Sequence, residues 1–535
     1  MVRVLVLLIW MSFSGHCYAA TIWCNPANTG AENGLTKETG YNTWDETHAA
    51  MSGGDTVMIA DGDWSATAKM SIIHPYLPDA GSAEAYTTVQ AETDWAVRLP
   101  NIYDSGVGRS YIVVRGIVFD GRANATYLTE RAHVVLPWHH AKFIRCGFLA
   151  GRVVGNNHCC GFGASASGQN HDNLMEECIA WGGGRYVYYE KYGLNNIFRR
   201  CVARHDVHLP LGTTDQDAGQ IFNFRSYSSS GSVYQNCISI DSDRIQYYNG
   251  GALQNEAGGY WVGDQYSTDG NIISGCISLK DVHLPFYLAG AGSGTTVVSN
   301  CSVIDTPVAG YTTLSAVVLK SDVNVTVNNM LGIDSPYAGQ DGFYGKNAGS
   351  LVTKSSILKN INEYCVFSLA NSYLNYHTVG AGVPTGTGTT SYDPEQNGLL
   401  YPVRIEAGSA LATAGEGGGV CGPTILKKIG TSGTLYGETG WNTITDDDLW
   451  PYPNEHAIKT LMSTTVAGVS GEYGFCTGTS MDGSAQTLTK YVWEYLGNQI
   501  PADIYGSGTP AVQNRVGAGS ANRLQSGASI TIGAK

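Results

Sequence analysis

Charge is what this sequence has least of. Asp, Glu, Lys and Arg make up 14% of its 535 residues, against about a quarter in ordinary globular chains. Basic residues are the scarcer kind: 31 Lys and Arg stand against 45 Asp and Glu, and setting aside Arg3 in the leader takes the net charge from −14 to −15. Phosphate-backbone binding needs clustered cations, so nucleic acid is excluded as a general partner. A local basic cleft for an anionic polymer is not. Long apolar runs are also missing. Beyond the leader no 18 consecutive apolar residues occur, which excludes a membrane-spanning helix. Gly182-Gly183-Gly184 and Gly417-Gly418-Gly419 lack the Lys-Ser/Thr of a phosphate loop, and there is no Gly-x-Ser-x-Gly. His139-His140 and His158-Cys159-Cys160 lack the paired spacing of a zinc site and read as structural or loop residues.

What is abundant points elsewhere. Gly numbers 68 and Tyr 32, with 43% hydrophobic residues. That mixture suits many short strands and tight turns rather than long helices. Residues 1–20 read as a secretory signal, with Arg3, an apolar Val4–Phe13 and the small pair Ala19-Ala20. The expectation is an exported protein, extracellular or periplasmic, without a transmembrane segment. Of 13 Cys, Cys17 falls in this leader.

One phrase then recurs: Val-Tyr-Gln-Asn-Cys237-Ile-Ser-Ile-Asp241, Ile-Ile-Ser-Gly-Cys276-Ile-Ser-Leu-Lys280 and Val-Val-Ser-Asn-Cys301-Ser-Val-Ile-Asp305. Looser spellings carry Cys146, Cys178 and Cys201, and flanking ones place Gly116, Met330 and Ser356 in the Cys slot. The intervals are 30, 32, 23, 36, 39, 25, 29 and 26 residues, a period that marks a solenoid, propeller or array. Intervals of 23 and 25 scarcely hold the four strands of a propeller blade, and a sandwich has no reason to return Cys at one phase. The six phrase cysteines read as a buried ladder of small hydrophobes. Cys24, Cys159, Cys160, Cys365, Cys421 and Cys476 lie outside the phrase and are the better disulfide candidates, with the pairing open.

Near the start, a helix over Thr43–Met51 precedes Gly53-Gly54-Asp55-Thr56-Val57-Met58-Ile59-Ala60-Asp61-Gly62-Asp63-Trp64. This resembles the opening coil of secreted bacterial right-handed parallel β-helix proteins of the pectate-lyase-like superfamily. The fold it implies is an all-β, right-handed parallel β-helix solenoid with an N-terminal capping helix and a mixed, partly helical C-terminal cap. The domain reading is a signal at 1–20, the solenoid at 21–375, a Gly/Thr/Pro linker at 376–393, a cap packed on the solenoid at 394–505 and a flexible tail at 506–535. Helices are expected near Glu455–Met462 and Leu488–Leu496.

The phrase also serves as a ruler. Four residues past the slot stand Asp120, His205, Asp241, Lys280, Asp305 and Asp334, then Asp206 and Asp281, with Asp243, Arg185, His208, Arg244 and His283 at six and seven. Asp206-Val-His208-Leu-Pro210 even repeats as Asp281-Val-His283-Leu-Pro285. These are either ordinary solvated turn residues or a polar shelf along a groove for an extended polymer. In the second reading Arg185, Tyr188, Tyr189, Arg204, Tyr247, Tyr248 and Trp261 contact an extracellular polysaccharide, aromatic faces suiting sugar stacking. The resemblance implies β-elimination of a uronic-acid polymer, with Arg204, Arg244 or Lys280 neutralising the carboxylate and His205, His208 or His283 as base. Asp206, Asp241, Asp243 and Asp281 are then candidate Ca²⁺ ligands. Hydrolysis by two carboxylates is a further option. The Arg-x-Pro-x-x-Arg of pectate lyases and the Gly-His-Gly and Arg-Ile-Lys of polygalacturonases are absent, so a non-catalytic adhesin or structural binder stays open beside the enzyme.

Overall fold

The computed structural model describes residues 19–505, apart from short internal segments of which 124–130, 151–157, 208–219, 264–269 and 307–316 are the longest. Three long sheets dominate, of 13, 12 and 9 strands, and every pairing within them is parallel. In the complete coils the chain visits the first, second and third sheet in turn and then returns one strand further along each. This is a parallel β-helix, right-handed as parallel crossovers are.

The recurring phrase is the corner between the first and second sheets. The residue before each Cys is left-handed: Arg145, Glu177, Arg200, Asn236, Gly275 and Asn300 have φ of 53°, 54°, 51°, 52°, 66° and 49°. Such a conformation is unfavourable for most residues. Here it is held by stacking, because each N–H donates to the next coil, as in Arg200 N to Gln235 O at 2.7 Å and Asn236 N to Ser274 O at 2.9 Å. The Cys that follows turns into the core, wholly buried. Its thiol donates to a carbonyl of the preceding coil: Cys178 to Phe143 at 3.3 Å, Cys201 to Met175 at 3.3 Å, Cys237 to Phe198 at 3.2 Å. Burial pushes the Cys178, Cys201 and Cys276 thiols well up, so they stay protonated.

Two expectations change here. Gly116 is not in the Cys slot. It is the left-handed residue itself, φ 73°, and Ile117 faces the core, because Arg115 pairs with Ile144 and Val118 with Gly147. Nor are the other cysteines disulfide-bonded. Cys24, Cys159, Cys160, Cys421 and Cys476 are buried free thiols, packed as small hydrophobes like those of the ladder; Cys365 lies outside the described residues.

Aromatic rings fill the interior from the third sheet. Tyr188, Phe224, Tyr260 and Phe286 stack in register, with centroids 5.0, 4.7 and 4.7 Å apart and planes within 9°. Room for them comes from small residues on the inner second sheet: Ala180, Ala203, Ser239 and Ser278. At the N-terminal end the helix Trp44–Ala50 closes the core. Thr43 caps it by accepting from Glu46 N at 3.2 Å, and Trp44 is fully buried against the first coils.

The last strand of the second sheet, Asn375–Ala381, runs into the stretch read as linker. Residues 399–500 then lie over the outer face of that sheet. Ile179, Trp181, Val202, Ile238, Ile277, Leu279 and Ile304 pack there against Leu399, Val403, Trp450, Leu461, Phe475 and Trp493. Parallel strands covered on both faces explain the apolar Ile-Ser-Ile and Ile-Ser-Leu of the phrase. An antiparallel pair, Lys427–Ile429 with Ile444–Asp448, and the turn between them cover part of the first sheet, where Leu435 packs on Leu174, Ile197 and Val233. Helices occur at Glu455–Met462 and Leu488–Trp493, the second continued by a tight turn to Leu496 and stopped by left-handed Gly497. No helix among the described residues is long and apolar enough to cross a membrane.

Candidate functional site

The residues four past the Cys slot form a second left-handed corner, at the far edge of the second sheet. Asp241, Lys280, Asp305 and Asp334 have φ of 51°, 57°, 55° and 59°, and Lys280 N donates to Ile304 O at 2.9 Å. Acids recur here partly because Asp tolerates this conformation. His205 does not adopt it. Its strand continues through Val207, so Asp206 faces outward while Asp281, past the Lys280 corner, turns inward. The first residues of the two pentapeptide copies, Asp206 and Asp281, therefore do not share a geometry.

The shelf is not an open groove. Residues of the C-terminal region sit on it and use its polar groups. Asp241 accepts from Phe475 N at 2.9 Å and Tyr491 Oη at 2.8 Å. Asp206 pairs with Arg204 at 2.7 Å and accepts from Tyr473 Oη at 3.0 Å and Gly182 N at 2.8 Å. Arg204 is fully buried; it donates to Met462 O and Gly471 O and lies 4.3 Å over the Tyr473 ring. Lys280 is half-buried with its ammonium 5.3 Å over Tyr491. His205 is buried, its backbone N–H donating to Ser242 Oγ at 3.2 Å. Burial pushes the Asp206 and Asp241 carboxyls up, against the opposing pull of Arg204 and, at Asp241, of the Phe475 N–H and Lys280.

Asp281 belongs to the interior. It accepts from Ser278 Oγ and from Asn223 Nδ2 at 3.1 Å, and burial raises it to about 7. The carboxylates of Asp206, Asp241 and Asp281 thus serve protein donors in three settings and do not fit a calcium site. Among the described residues the one set of side chains placed to hold a cation is elsewhere, at His140, His171 and Asp172. His208, Asp243, Arg244, Tyr247 and His283 lie outside the described residues. Tyr248 is in a short strand, Tyr248–Asn249, its side chain likewise outside them.

Tyr188 cannot meet a ligand, being part of the internal aromatic stack. The run Tyr186-Val187-Tyr188-Tyr189 goes outer, inner, inner, outer, which breaks simple alternation. The outer face of the third sheet holds a different row. Tyr189, Arg225, Trp261 and Tyr287 are partners on successive coils, about 4.8 Å apart by strand spacing. The Arg225 guanidinium lies 3.7 Å over Trp261, Trp261 stacks on Tyr287 at 5.1 Å, and His158 stacks on Tyr189 at 4.0 Å. Arg185 covers Tyr186 at 4.9 Å. Tyr189, Trp261 and Tyr287 keep 7%, 7% and 8% exposure, and Arg225 keeps 1%. Among the described residues, this cluster takes in nothing from the C-terminal region. Sequence reading named Arg185, Tyr189 and Trp261 here. It missed His158, Arg225 and Tyr287, whose signal is strand register.

No family model matches the sequence, and no curated protein matches it. Solved structures run alongside it at low identity. Pectate lyase Pel9A is 13% identical, covering 74% of this chain and 91% of its own, with a TM-score of 0.41. A rhamnogalacturonan lyase is 14% identical over 70% of this chain and 84% of its own, at 0.38. A mutant of the PL6 family alginate lyase AlyGC is 11% identical over 84% of this chain and 63% of its own, at 0.45. The register of its own three sheets, rather than any of these likenesses, makes the chain a parallel β-helix protein.

Proposed function

We propose that this protein binds an extracellular polysaccharide along the outer face of the third sheet. The observation that carries this reading is the Tyr189–Arg225–Trp261–Tyr287 row on successive coils, with Trp261 between the Arg225 guanidinium and the Tyr287 ring. Aromatic faces suit the C–H faces of sugars, and tyrosine hydroxyls suit their hydroxyls. Half-buried Arg185 supplies positive charge beside those rings, which favours a polymer carrying carboxylates, while Arg225, 1% exposed and donating to Ser226 O and Gly263 O, braces the row from within.

The burial of Arg204 and Asp241 under the C-terminal region, and of His205 beside Ser242, favours binding without cleavage. Elimination chemistry would need an open cation and base, roles left to Lys280, His208, Arg244 and His283. The test is incubation with alginate, pectate and glycosaminoglycans, reading affinity-gel retardation and the ultraviolet absorbance of unsaturated uronate products. Retardation without product is expected. Product from one polyuronate would establish the lyase instead, and neither retardation nor product would sink both readings.

A further inference from the structure

A second constellation lies at the third corner, where the chain returns to the first sheet. Tyr111, His140, Asp172 and Asn195 are its left-handed residues on four successive coils, with φ of 55°, 55°, 53° and 59°. The coils lock them: Tyr111 N donates to His139 O at 3.3 Å, His140 N to His171 O at 3.2 Å, and Asp172 N to Leu194 O at 3.0 Å. His139 and His171 are bridge partners with rings 4.8 Å apart and 5° from parallel, and Tyr111 stacks on His140 at 4.8 Å. Three imidazoles and one carboxylate, all half-buried, thus converge from two coils.

From this geometry we infer a transition-metal site, of the Zn²⁺ class, with His140, His171 and Asp172 as ligands and His139 at its margin. A donor atom from each of the first three lies within 4.8 Å of the others. Without an ion, His171 Nδ1 stands 2.7 Å from Asp172 Oδ2 and His139 Nδ1 3.0 Å from His140 Nδ1, hydrogen-bond contacts that bonds to a metal would replace. Asn195 Nδ2 donates to Asp172 Oδ1 at 3.2 Å. That outer contact orients the carboxylate, as partners of metal ligands do. An imidazole-rich set selects zinc, copper or nickel. Calcium and magnesium prefer all-oxygen shells.

The site bridges two coils, so a bound ion staples the stack and binds the folded state only. The experiment is Zn²⁺ titration of the metal-free protein by calorimetry, together with the visible spectrum of the Co²⁺-loaded protein and thermal melts with and without Zn²⁺. One equivalent of Zn²⁺ bound, a tetrahedral Co²⁺ band and a higher Tm with Zn²⁺ are expected. His140→Ala and His171→Ala should each weaken binding about tenfold or more and remove the Co²⁺ band. His456→Ala, on an exposed residue of the C-terminal region, should change neither. Asp172→Asn, which keeps the shape of the corner, guards against a variant that fails to fold, and should also weaken binding. Equal Zn²⁺ affinity in wild type, Asp172→Asn and His171→Ala, or no stoichiometric binding to wild type, overturns the assignment.

Discussion

Arg204→Met should destabilise the protein by about 3–5 kcal/mol, the usual consequence of removing one partner of a buried ion pair. Arg204 is fully buried, and its loss strands the Asp206 carboxylate beside Tyr473 while leaving Met462 O and Gly471 O without their donor. Urea unfolding would measure the loss. Because these contacts join the second sheet to the C-terminal region, limited proteolysis should also cut that region sooner. The double variant Arg204→Met/Asp206→Leu should recover more than half of the stability, since replacing both charges removes the stranded one. A single variant as stable as wild type would mean that the guanidinium does not tie the two regions together.

Stability should also fall as pH rises from about 5 to 8. Burial raises the Glu190 carboxyl from 4.5 to about 7 and that of Asp281 from 3.8 to about 7. Both sit inside the coil: Glu190 accepts from Ser232 Oγ at 2.7 Å and Asn196 Nδ2 at 2.8 Å, and Asp281 accepts from Ser278 and Asn223. A carboxyl raised on folding holds its proton in the native state while the unfolded chain has released it. The native state therefore binds more protons between the two values, and stability declines with pH across that window. Below the unfolded values neither group contributes a slope. Above about 7 the full penalty applies, roughly 3–4 kcal/mol per group at 1.36 kcal/mol per unit. Melting temperatures at pH 5, 6, 7 and 8 would show the decline. Glu190→Gln and Asp281→Asn should each flatten part of it, and an unchanged slope in both would refute the assignment.

The solenoid was legible because a repeated corner writes itself into sequence. Each coil needs a small buried residue after a left-handed one, and Asn-Cys, Gly-Cys and Arg-Cys satisfy both demands. The helices at Glu455–Met462 and Leu488–Trp493 were legible from local pattern. What failed was phase and distance. Gly116 slipped by one because its coil makes the same turn with a glycine and no Cys. Tyr188 was placed outside because two inner residues follow one another in its strand. The shelf was found at the right place on the coil and given the wrong surroundings. The groups that cover it, Tyr473, Phe475 and Tyr491, lie more than 230 residues from Asp241 and Asp206, and no spacing rule connects them. The histidine cluster failed in the same way. His139-His140 shows no ligand spacing along the chain; the coil supplies the missing pair 32 residues on, as it brings Asn173 onto Ala141.

In the proposed function the coils present a ligand on the third sheet, while the phrase-end shelf is a seam beneath the C-terminal region. The most direct test compares the affinity of two folded variants for the polysaccharide that retards wild type most. Trp261→Ala/Tyr287→Ala should bind about tenfold or more weakly, by loss of stacking surface, while Lys280→Ala, which loses one contact with the Tyr491 ring, should bind as wild type does. Loss of binding in Lys280→Ala with full binding in Trp261→Ala/Tyr287→Ala would contradict the account and return the site to the shelf.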